Sequence, residues 1–167
     1  MSTAEKAKVG VGVGVLILKD NKILLGKRHH DPKKANSALH GEGTWTMPGG
    51  KLEFKEAFED TAARELFEET SMKAKSLKFI SIANDKVEDA HFVTIGMLCD
   101  DFEGSPEVME PDKITEWKWF ELTNLPKPMF FPSSRILENY LDFCLPLSAP
   151  CSRRSRVSED LLFFLFS

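Results

Sequence analysis

Glu56, Arg64, Glu65, Glu68 and Glu69 lie in a run from Lys51 to Met72 that contains no Gly or Pro, and most of that run suits a helix. On a helix, residues three and four apart are neighbours, so Glu65 sits beside both Glu68 and Glu69. At about 100° per residue the three carboxylates share one narrow face. Like charges at this spacing destabilise a bare helix by about 0.2–0.5 kcal/mol per pair. A cation must offset them, and Arg64 alone is not placed to serve all three. A glutamate cluster is ordinarily a solvated acidic face. Two features argue otherwise. Ala62, Ala63 and Leu66 set an apolar stripe beside the carboxylates, so the acidic face borders packed protein. The Pro48-Gly49-Gly50 turn just before the run lets backbone carbonyls approach the same place. Clustered carboxylate and carbonyl oxygens are ligands for Mg²⁺ or Mn²⁺. Magnesium keeps several waters and takes one or two carboxylates plus substrate phosphates, so the expected ligand is a metal-bound phosphate ester.

The string Gly50, five residues, Glu56, seven residues, Arg64-Glu65-Leu66, one residue, Glu68-Glu69 resembles the Nudix box. That family comprises metal-dependent hydrolases of a nucleoside diphosphate linked to another moiety. The resemblance implies that Gly49 offers a carbonyl to the metal and that Glu65, Glu68 and Glu69 supply ligand carboxylates, one of them also accepting a proton from water. Arg64 and Glu56 would brace the loop and helix. The box normally closes with Gly, where this chain has Ser71. Gly suits a left-handed residue at a helix end, and a non-Gly residue there costs about 1 kcal/mol. Every proposed ligand is retained.

The elements that must position this motif follow from periodicity. Val9 to Leu18 alternates Val with Gly and reads as a strand, as does Lys22 to Lys27 after an Asp20-Asn21 turn. Gly10, Gly12 and Gly14 on one face imply close approach of a neighbouring strand or of a substrate base. The hairpin resembles the opening of Nudix domains, and in similar proteins the Arg at position 28 reaches substrate phosphates; Lys113 is assigned the same role. His29 to Thr44 is a long polar loop, expected to form a lid over the site. Its His29, His30 and His40 raise a zinc site that no spacing supports. Trp45 to Met47 is a short strand. Leu77 to Asn84, His91 to Cys99 and Trp117 to Phe120 are further strands, and Arg135 to Phe143 a second helix. In His91 to Cys99, Val93, Ile95 and Met97 face the core, while Phe92, Thr94 and Gly96 suit either a ligand-facing wall or an ordinary edge face. The acidic stretch from Asp100 to Asp112 offers Glu107, Glu110 and Asp112 as a further metal ligand. The fold expected from the resemblance is an α/β/α sandwich around a mixed sheet, with the box helix packed on one face.

A chain of 167 residues with 42% hydrophobic content forms one globular domain with a substantial core. Its boundaries are set at residues 9–145, and 146–167 is a tail of undetermined role. A net charge of −4 argues against general nucleic-acid binding. Cys99, Cys144 and Cys151 are an odd number at no metal-ligand spacing, which suggests free thiols in a reducing compartment. With no signal-peptide pattern and no span of about 20 apolar residues, a cytoplasmic location is expected. The combination EPDK, Trp117-x-Trp119 and NLPKPMFFP is similar to plant cytosolic Nudix hydrolases and to animal nucleoside triphosphate diphosphatases of the family that act on dGTP-like and thiopurine nucleotides. That similarity puts Met47, Thr94, Phe130 and Phe131 around a purine and is compatible with a homodimer. The expected reaction is Mg²⁺- or Mn²⁺-dependent hydrolysis of a nucleoside triphosphate to monophosphate and pyrophosphate. Dihydroneopterin triphosphate, ADP-ribose and capped RNA ends are the rival substrates within the family. A catalytically silent nucleotide-binding module is the rival outside catalysis.

Overall fold

The computed structural model describes residues 8–35 and 37–144; the tail from Pro146, with Cys151, lies outside them. The chain runs through strands β1 (Gly10–Lys19) and β2 (Lys22–Arg28), the short helix α1 (Pro32–Ala35), and strands β3 (Trp45–Thr46) and β4 (Gly49–Lys51). Helix α2 (Phe58–Thr70) follows, then β5 (Lys73–Lys86), β6 (His91–Glu103), β7 (Ile114–Glu121) and helix α3 (Phe131–Cys144). Seven strands form one mixed sheet. Strand β1 pairs parallel with β6 from Gly10↔Phe92 to Ile17↔Cys99, and antiparallel with β4. Strand β6 pairs antiparallel with β5, and β2 with β3 and β7. The β1–β2 hairpin closes through Asp20 and Asn21, both at positive φ (49° and 62°), a backbone shape that matches strand twist.

The two sheet faces bury different sets. Val13, Val15, Ile17, Ile95 and Met97 pack against Ala62 and Leu66 of α2; Leu16, Ile23 and Leu25 pack against Ile136 and Leu137 of α3. Helices therefore cover both faces, the α/β/α sandwich read from the sequence. Each fully buried aliphatic side chain in these layers contributes about 1.5–3 kcal/mol.

Several boundaries differ from the sequence reading. Residues 49–51 pair as β4, with Gly14↔Gly49 and Gly12↔Lys51, so the Gly-Gly segment is strand as well as turn. Helix α2 starts only at Phe58, because Glu53–Glu56 forms a turn with Lys55 at φ 70° and Ala57 remains extended. At the other end Ser71 adopts the left-handed conformation (φ 63°), its N–H donating to Phe67 O at 2.8 Å. Strand β5 extends beyond both expected ends, and β6 continues into the acidic stretch, where Phe102 stacks on Trp119 at 5.9 Å. Helix α3 begins four residues early, with Pro132 in its first turn where no N–H is needed.

Candidate active site

Arg64 is the hub of the box. Its guanidinium donates to both oxygens of Glu56 (2.8 and 3.0 Å), to Lys51 O (3.2 Å), to Glu65 Oε1 (2.7 Å) and to Glu68 Oε2 (3.1 Å). One cation thus links the 51–56 loop to two of the three helix carboxylates. Glu56 also accepts from Thr61 Oγ1, and the Arg64 and Thr61 bonds hold its carboxyl down at about 2. The bonds to Glu56, Glu65 and Glu68 raise the Arg64 proton affinity further still.

Glu69 lies beyond the bonds of Arg64 and is met from the opposite side: Oε2 accepts the Gly49 N–H at 3.0 Å. Its backbone oxygen accepts from Trp117 Nε1 (3.2 Å) and from the Met109 N–H (3.3 Å), docking the acidic 105–112 loop on the end of α2. Burial pushes the Glu69 carboxyl up to about 8; the Gly49 bond works against this, and the charges of Glu65 and Glu110 add to it. Burial raises Glu65 as well, opposed by Arg64. Packing explains why these positions are so close. A Cβ on Gly50 would run into the Glu65 carboxylate, and one on Gly49 into the backbone of Val13.

Glu65 and Glu69 look into a cleft of about 690 Å³, within the ~300–1,000 Å³ usual for ligand sites. Arg28 and Lys113 border it as cations, and Met47, Thr94, Phe92 and Phe130 form apolar and hydroxyl walls. The face of β6 bearing Phe92 and Thr94 is therefore a cleft wall. Glycines of β1 serve both packing and the cleft: Gly10 faces the Phe92 ring, Gly14 faces Ile136, and Gly12 and Gly14 line the opening. The Arg28 guanidinium lies over the Phe130 ring at 4.8 Å and donates to Ala35 O at 2.7 Å. Its burial lowers its pKa, and Nε has no protein partner. Lys113 donates to Glu110 Oε1 at 2.7 Å.

Three expected site residues stand away from the cleft surface. Arg64 acts from behind Glu65, Glu68 is 53% exposed and turned to Arg64, and Phe131 packs on Phe130 at 5.6 Å. Among the carboxylates outside the box, Glu110 is the one whose charge reaches Glu69; Asp112 pairs with Lys34 at 3.4 Å, and Glu107 contributes its N–H to Thr70 O. The 29–44 loop lines the cleft through Pro32, Lys33, Ala35 and Leu39. It is tied down by Arg28 N–H to Thr44 O and by Lys27 Nζ to Gly43 O. Its histidines go to separate partners: His29 Nδ1 accepts the Asp31 N–H, His30 packs on Gly43, and His40 meets Asp89. Ser133 was not anticipated. Its Oγ accepts the Met47 N–H at 3.0 Å and meets Thr46 Oγ1 at 3.2 Å, and nothing local in the sequence couples residues 86 positions apart.

The donor set suits a hard divalent cation. Among the described residues no three carboxylate, thiolate or imidazole groups converge as a ready-made cage. Magnesium needs fewer, since it completes its shell with water and substrate phosphate. Two carboxylates of raised proton affinity facing one cleft meet that need. No helix of the described residues is long and apolar enough to cross a membrane.

The NUDIX domain family matches residues 8–140. Among known proteins, an ADP-ribose pyrophosphatase of Methanocaldococcus jannaschii is 35% identical over 78% of this chain and 72% of its own length. An oxidized purine nucleoside triphosphate hydrolase of Danio rerio is 29% identical over 67% of this chain and 66% of its own. The chain spans less than half the length of the NAD-capped RNA hydrolases it also matches. Among solved structures, a MutT NUDIX hydrolase of Burkholderia pseudomallei superposes with a TM-score of 0.71 at 30% identity, covering 79% of this chain and 98% of that one. The box carboxylates, the sandwich that carries them and the family match agree, and the chain belongs to the NUDIX family as a Nudix hydrolase.

Proposed function

We propose that this Nudix hydrolase is a Mg²⁺-dependent nucleoside triphosphate pyrophosphohydrolase that takes purine, dGTP-like nucleotides and yields a monophosphate and pyrophosphate. The observation that carries the reading is that one cleft holds both kinds of group. Glu65 and Glu69 line it, and in the same lining the Arg28 guanidinium lies over the Phe130 ring at 4.8 Å. A cation held against an aromatic plane supports phosphate and base within one ligand. Arg28 and Lys113, both in the cleft lining, hold phosphate oxygens. Met47, Thr94 and Phe130 face the base, with Phe131 buttressing Phe130 from behind. Glu65 and Glu69, with Glu68 from the helix edge and Gly49 beside them, hold the metal; Mn²⁺ is the alternative ion. When bound there, the metal supplies Lewis-acid charge to the phosphates and lowers the pKa of the attacking water. One carboxylate of the set accepts that water's proton as the α–β anhydride bond breaks. The setting is cytoplasmic and reducing, in keeping with the free, buried Cys99, and the active species is a homodimer.

ADP-ribose is the second reading, favoured by the name of the Methanocaldococcus jannaschii relative. A hydrolysis panel separates the two: dGTP, 8-oxo-dGTP, the other dNTPs, dihydroneopterin triphosphate, ADP-ribose and an NAD-capped RNA, each with and without Mg²⁺ and beside Glu69→Ala. Metal-dependent pyrophosphate release from purine triphosphates, lost in the variant, is expected. Turnover confined to ADP-ribose or capped RNA would replace the substrate reading. Nucleotide binding without any turnover would make the chain a binding module. Light scattering of the purified protein tests the dimer.

A further inference from the structure

The first turns of α3 carry one wall of the cleft: Pro132, Ser133 and Ile136 line it, next to Phe130 just before the helix. Besides the Phe130 N–H bond to Trp45 O, two polar side chains hold this end. Ser133 ties it to Met47 and Thr46 on the β3 side. Arg135 reaches the opposite way, its NH1 donating to Asp85 Oδ1 at 2.5 Å and to Asn84 O at 2.6 Å. Asp85 is fully buried near the end of β5, and its Oδ2 has no partner. A carboxylate taken out of water with one oxygen unmatched is unfavourable by itself. Nothing in the hydrolysis described above uses it, so the core keeps it for another purpose.

Its place in the sheet suggests that purpose. Asp85 is the cross-strand partner of Phe92, so both side chains stand on the same face of the sheet. Phe92 lines the same cleft as the first turns of α3. We infer that Asp85 and Arg135 are a positioning pair, setting the separation between the Phe92 wall and the first turn of α3 and thereby selecting the base. Arg135 also lies over the Phe131 ring at 5.9 Å, and Phe131 packs on Phe130. The pair thus grips the aromatic wall at its start as well as the helix. It bonds neither the box carboxylates nor Lys113, and it reaches Arg28 only through Phe131 and Phe130, so it acts on base recognition first. This inference rests on the reading of that wall as the base site.

Steady-state hydrolysis of purine and pyrimidine deoxynucleoside triphosphates by wild type, Arg135→Gln and Arg135→Lys tests it. Arg135→Gln is expected to raise KM for the preferred nucleotide about tenfold, with kcat within about twofold, and to narrow the purine-to-pyrimidine ratio of kcat/KM. Arg135→Lys keeps a charge and one donor nitrogen, which is all that the two bonds use, and restores part of the loss. Unchanged KM and base ratio in a folded Arg135→Gln would overturn the inference, and so would an equal loss of kcat for every base. If Arg135→Gln does not fold, Asp85→Asn/Arg135→Gln, which leaves no buried unpaired charge, carries the same comparison. Should wild type hydrolyse ADP-ribose and no triphosphate, the triphosphate reading fails on its own, and the pair is judged by the same KM shift on ADP-ribose. The Kd of a non-hydrolysable α,β-methylene triphosphate gives the pair a readout without turnover, with the same rise expected and an unchanged Kd refuting it.

Discussion

Gly50→Ala separates the positioning of Glu65 from the stability of the fold. Gly50 has no positive φ, so alanine can adopt its backbone conformation, but the new Cβ would lie 2.5 Å from Glu65 Oε2. Ordinary contact lies near 3.5 Å, so the carboxylate must retreat by about 1 Å. It is the far end of a flexible side chain and can do so, at the expense of the 2.7 Å bond to Arg64 NH1. Two stability terms then oppose each other. Losing that charge-assisted bond costs about 1.5–3 kcal/mol, while replacing Gly at a compatible position contributes about 0.4–1 kcal/mol through the unfolded chain. The net is a loss of about 0.5–2.5 kcal/mol, a Tm drop of about 10 °C or less. A 1 Å misplacement of a reacting group, by contrast, lowers kcat/KM by about a hundredfold. Pyrophosphate release under saturating Mg²⁺, beside a thermal melt of the same preparation, measures both. Retention of kcat/KM within about threefold would refute the role of Glu65 geometry. A Tm loss above about 10 °C would show that the clash passes into the backbone and that Gly50 is structural.

Glu69→Gln is expected to lower kcat/KM by at least about a hundredfold, and it carries a pH signature. Because the folded carboxyl sits up near 8 in the metal-free chain, its protonated form favours folding below about pH 4.5, and that contribution is lost as pH rises toward 8. Wild-type melts in EDTA should therefore lose Tm between pH 5 and pH 8.5 relative to Glu69→Gln, and Mg²⁺ should restore wild type alone; parallel curves would refute this. The cleft mouth leaves Glu69 partly open to water, which moderates the size of the effect. Ser71→Gly relieves the left-handed helix end (φ 63°) and should stabilise the protein by about 1 kcal/mol with kcat unchanged; a lowered Tm would show that the hydroxyl or the stiffer backbone outweighs the strain.

Local chemistry made much of this protein legible without coordinates. The period-two runs and the Asp20-Asn21 turn announce the first hairpin, and the box spacing places Glu65, Glu68 and Glu69 on one helix because 3.6 residues per turn is a local property. Boundaries were less legible. Phe102 is polar-flanked in the sequence and is held in β6 by Trp119, a partner far along the chain. Residues 49–51 form strand only because β1 presents a free edge to them.

The division between the three glutamates shows where sequence stops. Identity and spacing determined that carboxylates, Arg64 and a Gly-Gly approach would share one locality, since each of these depends on neighbours within a few turns. Only the tertiary structure decided their separate environments: Glu68 is left to solvent and Arg64, while Glu69 is half-buried with its carboxylate on Gly49 and its backbone held by Trp117 and the 105–112 loop. It likewise decided that Arg28 lies on Phe130, that Ser133 holds Met47, and that Asp85 is buried against Arg135. These contacts join residues 50 to more than 100 positions apart. Burial and charge pairing depend on which surfaces the assembled sheet and helices bring together, and no window of the chain contains that information.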